Sequence, residues 1–265
     1  MSRSHLSSTR GKPRRRRGRY KKARDEDIVD RLKGIIGKRK TYGYLRATKK
    51  LNDQYVAEGK PRVNKKRVYR VMKENEMLLP RRQLKPTRTH DGKVRTLTSD
   101  LRWCTDIFEI QCENGQRVSV VFSLDCCDRE VVTWAATTGT VDGEMVRDLM
   151  AETVEARFDD VRAAHPVQWL SDNGPQYTAR ETREFGAMLG LLVCTTPSYS
   201  PQSNGMAEAF VKTFKRDYVY VNDRPDAASV MRQLHIWFED YNEEAPHSGL
   251  KMLSPREFRR ANVGH

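Results

Sequence analysis

Three acidic side chains stand out by what surrounds them. Asp106 lies in WCTDIFEI, Asp172 in WLSDNGPQY and Glu208 in QSNGMAEAFVKTFKRD, and thirty-five residues separate the last two. Brought together by folding, three carboxylates offer the hard oxygen ligands that Mg²⁺ prefers. Two such ions side by side activate a water or hydroxyl on one side of a phosphodiester and stabilise the oxygen leaving on the other. Each residue also has a plainer reading. Asp172-Asn173-Gly174 is an ordinary turn sequence. Glu208 with Lys212 reads equally as an intrahelical ion pair worth ~0.3–0.5 kcal/mol. Asp106 is harder to set aside, because it interrupts an apolar, aromatic strand pattern where an unpartnered charge is costly. Asp125 and Asp128 are rivals, but both fall where the second strand exits into a turn, and a turn role is their ordinary reading.

Periodicity locates the elements that must position these groups. A strand over 103–111 meets a strand over 117–124 across Glu113-Asn114-Gly115-Gln116, and Asn-Gly favours a tight hairpin. A third strand is expected over 129–136, then a helix over 142–158 with Met145, Leu149, Val154 and Phe158 apolar. A short strand, Val167–Ser171, ends just before Asp172 and so places that carboxylate at a strand end. A helix over 179–189, a strand over 191–195 and a Pro/Ser/Asn-rich loop over 197–204 lead into a helix over 205–219. On that helix Ala207, Phe210, Val211, Phe214 and Tyr218 make the inward stripe, and Glu208, Lys212 and Lys215 a neighbouring one. A last helix spans 227–242. Three strands followed by alternating helices and strands predict an α/β fold, a mixed sheet flanked by helices.

Charge divides the chain. Residues 1–96 carry 32 Lys and Arg against 9 Asp and Glu, a net of +23, whereas residues 97–265 carry 17 against 26, a net of −9. A cationic module for an anionic polymer, joined to a body with other work, is the expectation. Residues 1–24, with Arg14, Arg15, Arg16 and Arg17 in KPRRRRGRYKKAR, have almost no apolar content and read as a disordered basic arm. Residues 25–80 read as a small helical domain. Its first helix carries the stripe Ile28, Val29, Leu32, Ile35 and Ile36, its second Leu45, Thr48 and Leu51. Asn64 suits the cap of a third, whose Val68, Val71 and Met72 turn inward. Lys65, Lys66, Arg67 and Arg70 cover the other faces, which suits a helix-turn-helix-like unit contacting mainly DNA phosphates. Residues 81–96 are a basic linker broken at Pro86 and Asp91-Gly92, and 97–265 form the body. The five cysteines show no metal-ligand spacing and read as reduced thiols of a cytosol. No apolar run approaches the ~18 residues of a membrane span, and no secretory signal is present. A cytoplasmic protein associated with nucleic acid is expected.

The acidic residues and their flanking words resemble the DDE transposases and retroviral-type integrases. The similarity is strongest to second-reading-frame (OrfB) transposases of bacterial insertion sequences. It runs over roughly residues 40 to 260, through YGYLRATKKLN, RVYRVMKENEMLLPRR, DCCDREVVTWAATT, SDNGPQYTARETREF, PQSNGMAEAFVKTFKRDYV, WFEDYNEEAPHSGL and SPREF. The resemblance implies an RNase H-like body and metal-dependent 3′-end cleavage and strand transfer. It implies that Asp106, Asp172 and Glu208 bind two Mg²⁺ ions, with Mn²⁺ able to substitute. Lys215 matches the basic residue that the family carries seven positions after the Glu, and with Lys212 would hold DNA phosphate. Asn204 would lie in a mobile active-site loop beside DNA. The implied partners are transposon-end and target DNA and further copies of the chain on that DNA. A first-reading-frame protein, as a fusion or a partner, would supply a further helix-turn-helix and a heptad-repeat oligomerisation helix; this sequence shows no sustained heptad. Two other readings share parts of the pattern. An RNase H-like nuclease would need the carboxylates without the basic module, and a DNA-binding regulator of transposition would need the module with an idle core.

Overall fold

The computed structural model describes residues 25–80, 96–195 and 204–262. The arm with Arg14, Arg15, Arg16 and Arg17, nearly all of the linker, and positions 197–203 of the expected loop lie outside the described residues.

The body is built on a hairpin. β1 (Arg102–Gln111) and β2 (Arg117–Asp125) pair antiparallel from Trp103↔Asp125 to Gln111↔Arg117. The reversal between them needs a left-handed residue, and Gly115 supplies it at φ +86. β3 (Val131–Thr137) adds antiparallel to β2. It starts two residues later than the sequence suggests, because Arg129 takes a positive φ of 60 in the turn. α4 (Gly143–Phe158) is capped by Asp142, whose carboxylate accepts from the Met145 N–H. It buries Val146, Leu149, Met150, Thr153 and Val154, while Met145 and Phe158 are half-buried. β4 (Val167–Ser171) and β5 (Leu191–Thr195) complete a sheet of order β3-β2-β1-β4-β5, with β4 parallel to both β1 and β5. The helix expected between β4 and β5 is two: α5 (Pro175–Thr178) and α6 (Arg180–Met188), separated by an extended Ala179. α7 (Gly205–Asp217), α8 (Ala227–Glu243) and α9 (Pro255–Asn262) follow. α9 is an addition to the elements anticipated from sequence.

Strand alternation sorts the core into two layers. Cys104, Phe108 and Ile110 of β1 join Val118, Val120 and Phe122 of β2 against Phe210, Phe214, Trp237 and Phe238 of α7 and α8. On the other face Trp103, Val121, Val167 and Trp169 pack with Leu149, Met150 and Tyr177. A mixed five-stranded sheet with helices on both faces is the RNase H-like arrangement.

Ahead of it lies a three-helix unit of α1 (Glu26–Lys38), α2 (Tyr44–Ala57) and α3 (Lys65–Glu74), closed over Ile28, Leu32, Leu51, Val68 and Met72. Asn64 does cap α3, accepting from the Lys66 N–H at 2.9 Å. The inward face of α2 is Ala47, Thr48, Leu51 and Tyr55; Leu45, expected there, is exposed because it precedes that stripe by half a turn.

Candidate active site

β1 and β4 pair only from Arg102↔Gln168 to Cys104↔Leu170. Asp106 lies two residues past the last pair on one strand, and Asp172 two residues past it on the other. The strands are parallel, so both carboxylates stand at the same height where the ladder has stopped. Alternation turns Asp106 to the face that carries Cys104 and Phe108, which is the face α7 covers. Phe214 of α7 sits 5.7 Å from Phe108 and Phe210 sits 4.5 Å from Phe122, ring centre to ring centre. That packing brings the first turn of α7, with Glu208, to the same end of the sheet.

Electrostatics report the convergence. The Asp106 carboxyl is pushed up to about 6, first by burial. The Ile107 N–H, 2.8 Å from its Oδ1, pulls the other way. The negative charges of Asp172 and Glu208 then raise it, and Lys215 lowers it. Asp172, Glu208 and Lys215, all singled out in the sequence, are therefore each within electrostatic reach of Asp106. Asp172 also makes its turn, accepting from the Gly174 N–H at 3.0 Å. Glu208 is exposed and, among the described residues, has no ion-pair partner, so the intrahelical pair with Lys212 does not form. Lys212 is exposed, whereas Lys215 is half-buried with its Nζ 5.6 Å from the centre of the Phe108 ring.

Other expectations are revised. Asn204 is 6% exposed and donates from Nδ2 to the Thr105 carbonyl at 2.9 Å. In the free chain this side chain is enclosed and not open to solvent. Arg67 and Arg70 both bind Asp25, at 2.7 and 2.6 Å, and Arg70 also binds Glu74. Lys65 and Lys66 are left as the exposed cations of that set. Asp125 and Asp128 do sit at the turn where β2 exits, and both are fully buried there. Asp125 accepts from the N–H groups of Asp100, Cys127 and Asp128, and Arg157 reaches to 3.6 Å from Asp128. Thr105 and Tyr177, 3.3 Å apart through their hydroxyls, adjoin the carboxylates and carried no sequence signal of their own.

Two integrase core domains match, one over residues 98–201 and one over 191–255, and an HTH-like domain matches residues 22–85. The transposase InsD for insertion element IS2A/D/F/H/I/K of Escherichia coli is 48% identical over 238 residues, 89% of this chain and 79% of that protein. InsD for insertion element IS2-9 of Escherichia coli (strain K12) is also 48% identical, over 89% of this chain and 78% of that protein. The chain belongs to the integrase-core transposases of insertion sequences. The transposase is a DDE-type enzyme acting on DNA, and the sheet end with Asp106, Asp172 and Glu208 is its candidate catalytic centre. Among solved structures, the catalytic domain of Mos1 transposase is similar over 53% of this chain and 71% of that one, at 20% identity and a TM-score of 0.46.

Among the described residues of the transposase, no three His, Cys, Asp or Glu side chains are gathered into a ready-made metal cage. The donor set still fits a hard divalent ion. It is all carboxylate oxygen, and a bound cation would offset both the burial that chiefly pushes Asp106 up and the smaller repulsion from Asp172 and Glu208. No helix among the described residues is long and apolar enough to cross a membrane.

Proposed function

We propose that Asp106, Asp172 and Glu208 are the metal-binding carboxylates of the transposase, holding two Mg²⁺ ions that Mn²⁺ can replace. The observation that carries this is the meeting of three negative charges at the point where β1 and β4 part. When bound, such ions supply charge stabilisation for the oxygens entering and leaving phosphorus. The protein's own groups orient the DNA. Lys215, beside Asp106 and over Phe108, holds a phosphate of the strand being cut. Lys212, exposed on the same helix, holds one further along.

In the first step water adds to phosphorus at the transposon end and the 3′ oxygen leaves as a hydroxyl. In the second, that hydroxyl adds to a target phosphodiester, displaces its 3′ oxygen and passes on its proton. In each step one P–O bond forms as one breaks, and in the second an ester is exchanged for an ester, so neither a covalent protein–DNA link nor nucleotide hydrolysis is required. Lys65 and Lys66, with Arg14 to Arg17 of the arm, contribute phosphate contacts that weaken with salt. Copies of the chain assemble on paired ends, and a first-reading-frame protein, fused or separate, contributes end recognition.

The test is substitution with shape kept and charge removed. Asp106→Asn, Asp172→Asn and Glu208→Gln should each reduce cleavage and joining to background in Mg²⁺ or Mn²⁺, with duplex binding intact in gel shifts. A variant that joins strands at the normal rate removes that residue from the set. Full activity after chelation removes the metals.

A further inference from the structure

The three carboxylates sit on three separate segments, and something must hold those segments in register. We propose that Thr105 is that register point, with Asn204 and Tyr177 as positioning residues that act through it. The proposal rests on the reading of Asp106, Asp172 and Glu208 as metal carboxylates.

Two hydrogen bonds from distant parts of the chain end on this one residue. The Thr105 carbonyl accepts from Asn204 Nδ2 at 2.9 Å, across 99 residues of sequence, and both groups are buried. The Thr105 hydroxyl lies 3.3 Å from the Tyr177 hydroxyl, across 72 residues, and that contact is buried too. Thr105 immediately precedes Asp106 and follows the last β1–β4 pair, Cys104↔Leu170. Where the strand ladder stops aligning the two halves of the site, side chains continue the alignment.

Each bond leads on to a carboxylate. Asn204 opens α7, and its own carbonyl accepts the Glu208 N–H at 3.1 Å, so fixing Asn204 on β1 fixes Glu208 one turn later. Asn is a favoured helix cap because its side-chain oxygen accepts from the first free N–H groups. Here the side chain makes no cap bond. It binds β1 instead, and so ties the start of the helix to that strand. On the other side Tyr177 N–H binds the Gly174 carbonyl at 3.0 Å, and Gly174 N–H binds Asp172 Oδ1 at 3.0 Å. Tyr177 therefore holds the turn that carries Asp172. A buried tyrosine hydroxyl needs a polar partner, and among the described residues Thr105 is that partner.

A role in packing alone and a role in positioning predict different measurements. Mn²⁺ binding to the metal-free full chain is followed without DNA by the loss of the free-ion paramagnetic resonance signal and by the rise in melting temperature. Outer groups that orient ligands typically cost 10–100-fold in metal affinity when removed. Asn204→Ala and Tyr177→Phe should each weaken Mn²⁺ binding by about tenfold or more. Thr105→Val, which keeps the carbonyl and loses the hydroxyl, should match Tyr177→Phe, and the two together should lose no more than either alone. Strand joining should need correspondingly more metal and recover at saturation. Asp106→Asn is the control. If it binds Mn²⁺ like the unaltered chain, the carboxylate reading falls and the positioning role with it. If it abolishes binding while Asn204→Ala and Tyr177→Phe merely lower the metal-free melting temperature, positioning alone is overturned. Tyr177→Phe, which removes a single oxygen, decides the question if Asn204→Ala does not fold.

Discussion

Asp106 interrupts a run of Trp, Cys, Ile and Phe, and its carboxyl rises from 3.8 to about 6 on folding. The folded chain therefore binds this proton more tightly than the unfolded chain does. Between those values the folded state holds more protons, so stability falls as pH rises. The contribution is fully present below 3.8 and gone above about 6. In metal-free buffer Asp106→Asn should melt higher than the unaltered chain at about pH 8, and the two should converge near about pH 4. A variant that melts lower at both would show that the carboxylate is structurally partnered rather than strained. Lys215 separates in the opposite way. With no carboxylate ion pair to lose among the described residues, Lys215→Ala should shift melting by a few tenths of a kcal/mol while joining falls by an order of magnitude, about 1.4 kcal/mol of barrier. Normal joining would return it to a plain surface role. Asp106 was legible because a charge in an apolar strand violates its surroundings. Thr105 and Tyr177 were not, because each is unremarkable locally and their bonds cross 99 and 72 residues.

Elements were legible where one face repeats. α7 reads inward at Ala207, Phe210 and Phe214 in both sequence and structure, and the hairpin follows from its Asn-Gly. α9 was hidden because PREFRRAN buries little and is held by charge: Arg256 binds Glu130 and Glu239, each at 2.8 Å. In α3 the same blindness runs the other way, since a basic helix shows how many cations it has and not which are engaged. Burial raises the Asp25 carboxyl, but hydrogen bonds from Arg70 and Arg67 outweigh that and hold it below its ordinary value. The arginines of α3 should then act mainly on folding and its lysines on DNA. Arg70→Ala should cost about 1 kcal/mol of stability and leave most duplex affinity. Lys65→Ala with Lys66→Ala should leave stability alone and flatten the plot of log affinity against log salt by up to ~0.9 for each phosphate no longer neutralised. Equal salt slopes for the two sets would assign both to structure.

The acidic body and the basic N-terminal region, opposed in sequence, meet in the fold. Arg39 pairs with Asp240, Arg46 with Asp217 at 2.7 Å, Lys50 with Glu244, and Lys49 with Glu257 at 3.5 Å. Tyr42 is buried there, with the guanidinium of Arg46 5.2 Å from its ring centre. Part of the body's negative charge thus faces the three-helix unit and not DNA, which answers how an acidic body coexists with a nucleic-acid substrate. The same junction joins function to function. α7 carries Glu208 in its first turn and Asp217 at its end, so one helix links the candidate carboxylates to the residue that grips α2. Burial raises the Asp217 carboxyl, but Arg216 and Arg46 hold it below its ordinary value. Isolated surface pairs contribute ~0–1 kcal/mol each, and four pairs, two of them beside the buried Tyr42 ring, are enough to fix one domain on another while staying sensitive to salt. Reversing two charges, Arg39→Glu with Arg46→Glu, should release the three-helix unit: the radius of gyration in solution scattering increases and joining falls, with duplex binding preserved. Adding Asp217→Arg and Asp240→Arg should restore compactness. The unaltered chain should loosen as salt is raised toward ~1 M, where screening acts over ~3 Å. A radius indifferent to both the reversal and the salt would mean that packing around Tyr42, and not charge, holds the two parts together.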